Sequence, residues 1–96
     1  MAVDPLLRRK RAEILDVARR HGVRSVRVFG SHARGAARDD SDVDLLVEPG
    51  ERRSFFFPGG LVADLEDLLG TRVDVVTPAG LRPLLRDAVL RDARDL

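Results

Sequence analysis

The feature that bears hardest on how this chain can fold is a strand ending in glycine, Val26-Arg27-Val28-Phe29-Gly30, followed by a second apolar run that opens on two acids, Asp42-Val43-Asp44-Leu45-Leu46-Val47. Ser31 stands where it can N-cap a helical turn through His32, Ala33 and Arg34. Such a turn aims backbone N–H groups at an anion, and Gly30 lets a phosphate come close to the backbone. Two residues apart on a strand, Asp42 and Asp44 share one face, with about 7 Å between them. A phosphate cradle beside a carboxylate pair needs cations between the two.

A third acid strengthens that need. Val73-Asp74-Val75-Val76 is another short apolar strand interrupted by a single carboxylate, and aspartate is depleted in strands, so Asp74 is not there for packing. Carboxylates ~4 Å apart repel by about 4 kcal/mol at an effective dielectric near 20, and a third roughly triples the pair energy. If the strands of Asp44 and Asp74 are neighbours, the three acids converge on one edge. Mg²⁺ would neutralise them and bind nucleotide phosphates at the same point.

The rest of the chain supplies a frame for those strands. Asp4-Pro5 is a helix start and His21-Gly22 a stop, with Leu7, Ile14, Leu15 and Ala18 on one stripe between them. Strands are expected over Val26 to Phe29, about Val43 to Val47, and about Arg72 to Val76. Leu61, Leu65, Leu68 and Leu69 recur at helical spacing before Gly70, a C-cap, while Gly59-Gly60 delays the start of that helix. Pro78 and Gly80 break the third strand before a last helix carrying Leu84, Leu85, Ala88 and Val89. The order predicts an α/β (α+β) fold, a small mixed β-sheet with packed helices.

Ninety-six residues are expected to form one domain, 1–96, too small for a self-contained template-directed polymerase. With 17 basic and 16 acidic side chains the net charge is +1, which gives no ground for bulk nucleic-acid binding. The chain has no cysteine, hence no disulfide framework and no thiol chemistry. No apolar stretch approaches membrane-spanning length, and Arg8 to Arg11 lead into an amphipathic helix rather than a secretory core. A soluble cytoplasmic protein is the expectation.

Several residues carry two readings. Asp39 and Asp40 lie in the polar loop and need no site, whereas Asp44 abuts Leu45-Leu46-Val47, where an unpaired charge is costly. Arg34 and Arg38 suit phosphate oxygens and equally suit pairing with Asp39 or Asp40. Ser41 orders the turn before the acids. His32, beside the cradle, reads better as a bystander than as a phosphate ligand, and Arg8-Arg9-Lys10-Arg11 better as a solvated helix face than as an RNA site. Phe55-Phe56-Phe57 cannot all point inward in an extended chain, so at least one is expected on the surface as a partner contact.

Taken together, Gly30-Ser31, Asp42-x-Asp44 and Asp74 resemble the signature of the DNA polymerase β-type nucleotidyltransferases. The fuller run, Phe29-Gly-Ser-x-Ala-Arg-Gly-x-Ala-Arg38, Ser41-Asp-x-Asp-Leu-Leu-Val47 and Val73-Asp-Val-Val-Thr-Pro78, resembles the minimal nucleotidyltransferases, small prokaryotic proteins that often act as antitoxins beside a HEPN-domain toxin. The resemblance runs from about Val23 to Val89. It implies the polymerase β-type fold and Mg²⁺-dependent transfer of AMP from ATP, with two ions held by the catalytic acids Asp42, Asp44 and Asp74. Gly30, Ser31 and Arg34 would bind the nucleotide, and the acceptor would be a tyrosine hydroxyl of a HEPN toxin. The phenylalanine run departs from the less aromatic stretch usual in such proteins. Two other readings stay open: an antitoxin that neutralises by contact around a vestigial site, and a small-molecule nucleotidyltransferase of the aminoglycoside type, which uses additional protein for its acceptor pocket.

Overall fold

The computed structural model describes residues 4–34, 42–51 and 57–96. Among these residues four helices and four strands follow in the order α1 (Pro5–Arg9), α2 (Arg11–Arg20), β1 (Val23–Phe29), β2 (Val43–Pro49), α3 (Gly59–Leu69), β3 (Val73–Val76), α4 (Pro83–Asp92) and β4 (Arg94–Asp95). Short 3₁₀ turns at Gly30–His32 and Pro78–Gly80 follow β1 and β3. The sheet runs β3-β2-β1-β4; β1 is antiparallel to β2 and to β4, whereas β2 and β3 are parallel. This is the expected small mixed sheet with helices. No helix among the described residues is long and apolar enough to cross a membrane.

One face of the sheet carries the core. Leu7 of α1, Ile14, Val17 and Ala18 of α2, and Leu61 and Leu65 of α3 pack with Val26 and Val28, with Val43, Leu45 and Val47, and with Val73 and Val75. Leu7, Ile14, Leu45, Leu61 and Leu65 are almost wholly buried, each contributing roughly 1.5–3 kcal/mol over the exposed state. Side chains alternate across a strand, so Asp44 and Leu46 of β2, and Asp74 and Val76 of β3, point to the opposite face. The two acids thus avoid the helical core.

The helices and strands depart from the sequence expectations in five places. The first helix is broken at Lys10, whose Nζ donates to the Leu68 carbonyl near the end of α3 (3.3 Å), an oxygen the helix itself leaves unpaired. Helix α3 starts at Gly59 rather than after the glycine pair. His21 Nε2 lies 2.6 Å from Asp64 Oδ2, and a Cβ on Gly60 would stand 3.2 Å from the His21 ring, so docking against α2 outweighs the poor helical propensity of glycine. β1 begins at Val23 instead of Val26. The two-residue β4 was not expected at all. Finally, α4 forms, but none of its residues is buried: Leu84 is 88% exposed and Leu85 56%, so its apolar residues do not cover the sheet. Gly70 caps α3 as expected, in the left-handed conformation at φ 70°.

Candidate active site

β1 delivers the glycine turn to the end of the sheet where the acids sit. Phe29 is the register partner of Asp44, so Gly30 emerges directly beside that carboxylate. Gly30 adopts φ +75°, and a Cβ built on it would lie 2.5 Å from Asp44 Oδ2. Both the left-handed backbone and the close approach therefore require glycine here. The turn is a 3₁₀ helix closed by the Ala33 and Arg34 N–H groups donating to the Gly30 carbonyl (3.1 and 3.3 Å). Its N-cap is Phe29, not Ser31 as the sequence suggested, and no side chain caps it. Left-handed Gly30 itself starts the turn, which places Ser31 one residue inside. The Ser31 hydroxyl is thus not spent on capping.

The acids come together as the strand pattern required. Asp44 and Asp74 are register partners on the parallel pair β2 and β3, which spaces their backbones about 4.8 Å apart on one face. Burial first, then the charges of Asp74 and Asp42, push the Asp44 carboxyl above the ordinary range, against a smaller lowering from His32 and Arg34. Asp42, just ahead of β2, lies 3.5 Å from Arg72 Nε, with both side chains more than half exposed. A pair that open is worth about 1 kcal/mol at most. Among the described residues no three His, Cys, Asp or Glu side chains form a ready-made metal-holding group. The donor set nevertheless fits a magnesium ion: hard carboxylate oxygens, two of them in register, with burial first and then the neighbouring acids raising the Asp44 carboxyl.

Other residues take plainer roles. His32 is 6% exposed, and its Nδ1 lies 3.1 Å from Asp4 Oδ2, while Asp4 Oδ1 accepts from the Leu6 N–H (2.8 Å) and so caps α1. The ring thereby ties the glycine turn to the first helix. Arg8, Arg9 and Arg11 are exposed, as expected of a solvated face. Phe57 is partly buried against the core. Arg38, Asp39, Asp40, Ser41, Phe55 and Phe56 lie outside the described residues.

Arg34 reaches the cradle, but its partner there was not foreseen. Its Nη1 donates to Asp92 Oδ2 (2.8 Å), and the Gly30 N–H donates to the same oxygen (2.7 Å). Burial raises the Asp92 carboxyl, yet these two bonds and the arginine charges outweigh it and hold the group below the ordinary range. The one sequence signal for Asp92 was its place at the C-terminal end of a helix, where the macrodipole disfavours an acid.

Comparison with known proteins agrees with this geometry. The profile of the nucleotidyltransferase domain matches residues 11–96. A protein of Methanocaldococcus jannaschii assigned as a protein adenylyltransferase is 40% identical over 84 residues, covering 88% of this chain and 90% of that protein. The protein adenylyltransferase MntA of Thermococcus cleftensis is 44% identical over 77 residues, covering 80% and 78%. A solved structure assigned as a minimal nucleotidyltransferase superposes with TM-score 0.82 at 52% identity, over 94% of this chain and 92% of that one. Two more distant structures share the fold: a toxin–antitoxin with AMP-PNP (TM-score 0.75, 21% identity, 88% of this chain and 69% of that one) and a tri-AMPylated Shewanella oneidensis HEPN toxin in complex with its MNT antitoxin (TM-score 0.69, 18% identity, 92% and 69%). With the glycine turn, the in-register acids and the mixed sheet in the arrangement its motifs require, this chain belongs to the nucleotidyltransferase domain family, among the minimal nucleotidyltransferases.

Proposed function

We propose that this protein is a Mg²⁺-dependent protein adenylyltransferase that moves AMP from ATP to a hydroxyl, a tyrosine of a HEPN-domain toxin, and so acts in the cytoplasm as its antitoxin. The observation that carries the reading is the register of Asp44 with Asp74 beside the left-handed Gly30: a carboxylate pair and an N–H cradle in one place, each needing what a metal–triphosphate brings. The names of the relatives support the reaction, and the HEPN complex among the distant structures supports the partner.

In this reading the Gly30 N–H, the Ser31 hydroxyl and the Arg34 guanidinium bind the terminal phosphates and orient the α-phosphate for in-line attack. Asp42, Asp44 and Asp74 would hold magnesium, which when bound neutralises charge on the entering and leaving oxygens. Asp74, exposed at the outer strand, takes the proton of the acceptor hydroxyl as its oxygen attacks phosphorus; the bond to pyrophosphate breaks and pyrophosphate leaves. His32 keeps the turn rigid.

Incubation of the protein and its partner with ATP labelled at the α-phosphate tests this. Label should enter the partner with Mg²⁺, and fail to enter with EDTA or with Asp44→Asn. Label transfer by Asp44→Asn at the wild-type rate would refute the assignment. One observation leaves room for a contact-only antitoxin, namely that Asp42 lies 3.5 Å from Arg72 Nε and so has a partner of its own besides a metal; neutralisation of the partner without nucleotide would bear that reading out.

A further inference from the structure

Asp92 closes the cradle from the far end of the chain. A single carboxylate oxygen, Oδ2, accepts both the Gly30 N–H at 2.7 Å and Arg34 Nη1 at 2.8 Å. Two short charge-assisted bonds converging on one anionic oxygen are what a phosphate oxygen would receive from the same donors. One set of donors cannot serve both anions at once. We infer that Asp92 is an internal competitor for the triphosphate, a latch that occupies the phosphate position of the resting protein and that nucleoside triphosphate must displace. The inference rests on the reading that Gly30 and Arg34 bind the nucleotide.

Two further observations fit a latch better than a structural tie. Asp92 is the last residue of α4, where an acid opposes the helix dipole, so its place is set by the cradle and not by the helix. And α4 buries none of its residues, Leu84 and Leu85 included, so little apolar surface is lost if its end swings away. Beyond it, Ala93 is buried and the short β4 holds the chain to β1 through Arg27↔Asp95 and Val28↔Arg94. The tail can therefore stay docked while Asp92 leaves, with the movement confined to the Asp92 side chain and the end of the helix.

The latch sets a measurable affinity. A protein competent to bind for only a tenth of the time binds about tenfold more weakly than its open form. Calorimetric titration of Mg-ATP, and separately of Mg-pyrophosphate, into wild type, Asp92→Ala and Asp92→Asn should show both ligands bound about tenfold more tightly by Asp92→Ala. Asp92→Asn, which keeps an acceptor but loses the charge, should fall between. The Gly30 amide resonance should move in Asp92→Ala without any ligand, and in wild type on addition of Mg-pyrophosphate. Equal or weaker binding by a folded Asp92→Ala overturns the latch while leaving the nucleotide site intact, and so does an unmoved Gly30 resonance. Should Asp92→Ala fail to fold, Asp92→Asn alone decides, by tighter or unchanged binding. Absence of binding to wild type and both variants overturns the latch together with the reading of the cradle.

Discussion

Replacing Asp44 by asparagine should make the metal-free protein more stable, although it removes a central residue of the candidate site. Asp44 and Asp74 are register partners on parallel strands, which sets their backbones about 5 Å apart and brings side chains on one face to a comparable separation. Two fixed charges at that distance repel by roughly 3 kcal/mol at an effective dielectric of 20. Asp74 is exposed and Asp44 only half-buried, so solvent screening brings the gain to about 1 kcal/mol. Asparagine keeps the shape, and the attraction to His32 and Arg34 that it forfeits is smaller than the repulsion from Asp74 and Asp42 that it relieves. For a domain of this size about 1 kcal/mol raises Tm by roughly 4–8 °C.

The pH dependence follows from the same charges. Burial, then Asp74 and Asp42, raise the folded Asp44 carboxyl above its ordinary 3.8, so the folded state holds a proton that the unfolded chain has already released. Wild-type stability therefore falls as pH rises from about 4 through the raised folded value, and the Asp44→Asn protein lacks that component of the fall. Below pH 3.8 the two should melt alike. The chain has neither Trp nor Tyr, so scanning calorimetry in EDTA, from pH 3 to 8, is the assay. An Asp44→Asn protein that melts at or below the wild-type temperature at neutral pH refutes the crowding of the acids.

Two further outcomes test the site's parts. Gly30→Ala meets a φ of +75° and a Cβ 2.5 Å from Asp44 Oδ2; urea unfolding should show a loss of about 1–2 kcal/mol from the backbone alone, and calorimetry a deeper loss of Mg-ATP affinity as the carboxylate is pushed aside. Asp74→Asn should keep Mg-ATP binding within a few-fold yet lose transfer, because Asp42 and Asp44 remain for the nucleotide; a loss of binding as deep as that of Asp42→Asn would place Asp74 among the nucleotide's own ligands.

The strands and their acids were legible because each writes a local rule. In Val43-Asp44-Leu45-Leu46-Val47 and in Val73-Asp74-Val75 a lone acid interrupts an apolar run, and period-two alternation alone puts both acids on the face away from Leu45 and Val75. Gly70 and Asp4-Pro5 were equally readable, since caps depend on one or two residues. What was missed depends on contacts distant in sequence. The break falls at Lys10, whose side chain reaches the Leu68 carbonyl, and the early start of α3 goes with its contact to His21. The stripe of Leu84, Leu85, Ala88 and Val89 reads as a core face, but periodicity cannot tell whether an apolar stripe has a partner within the chain, and in α4 none of these residues is buried. β4 is too short to show a pattern, and Asp92 meets Gly30 across 62 positions.

The most direct measurement is the intact mass of a HEPN partner after incubation with this protein and Mg-ATP, followed by an assay of that partner once this protein has been removed. The partner should gain mass increments of AMP size, localised to a tyrosine, and stay inactive alone, with neither effect from Asp44→Asn. A partner that is silenced with no change in mass, and that recovers on separation, would contradict the proposed transfer.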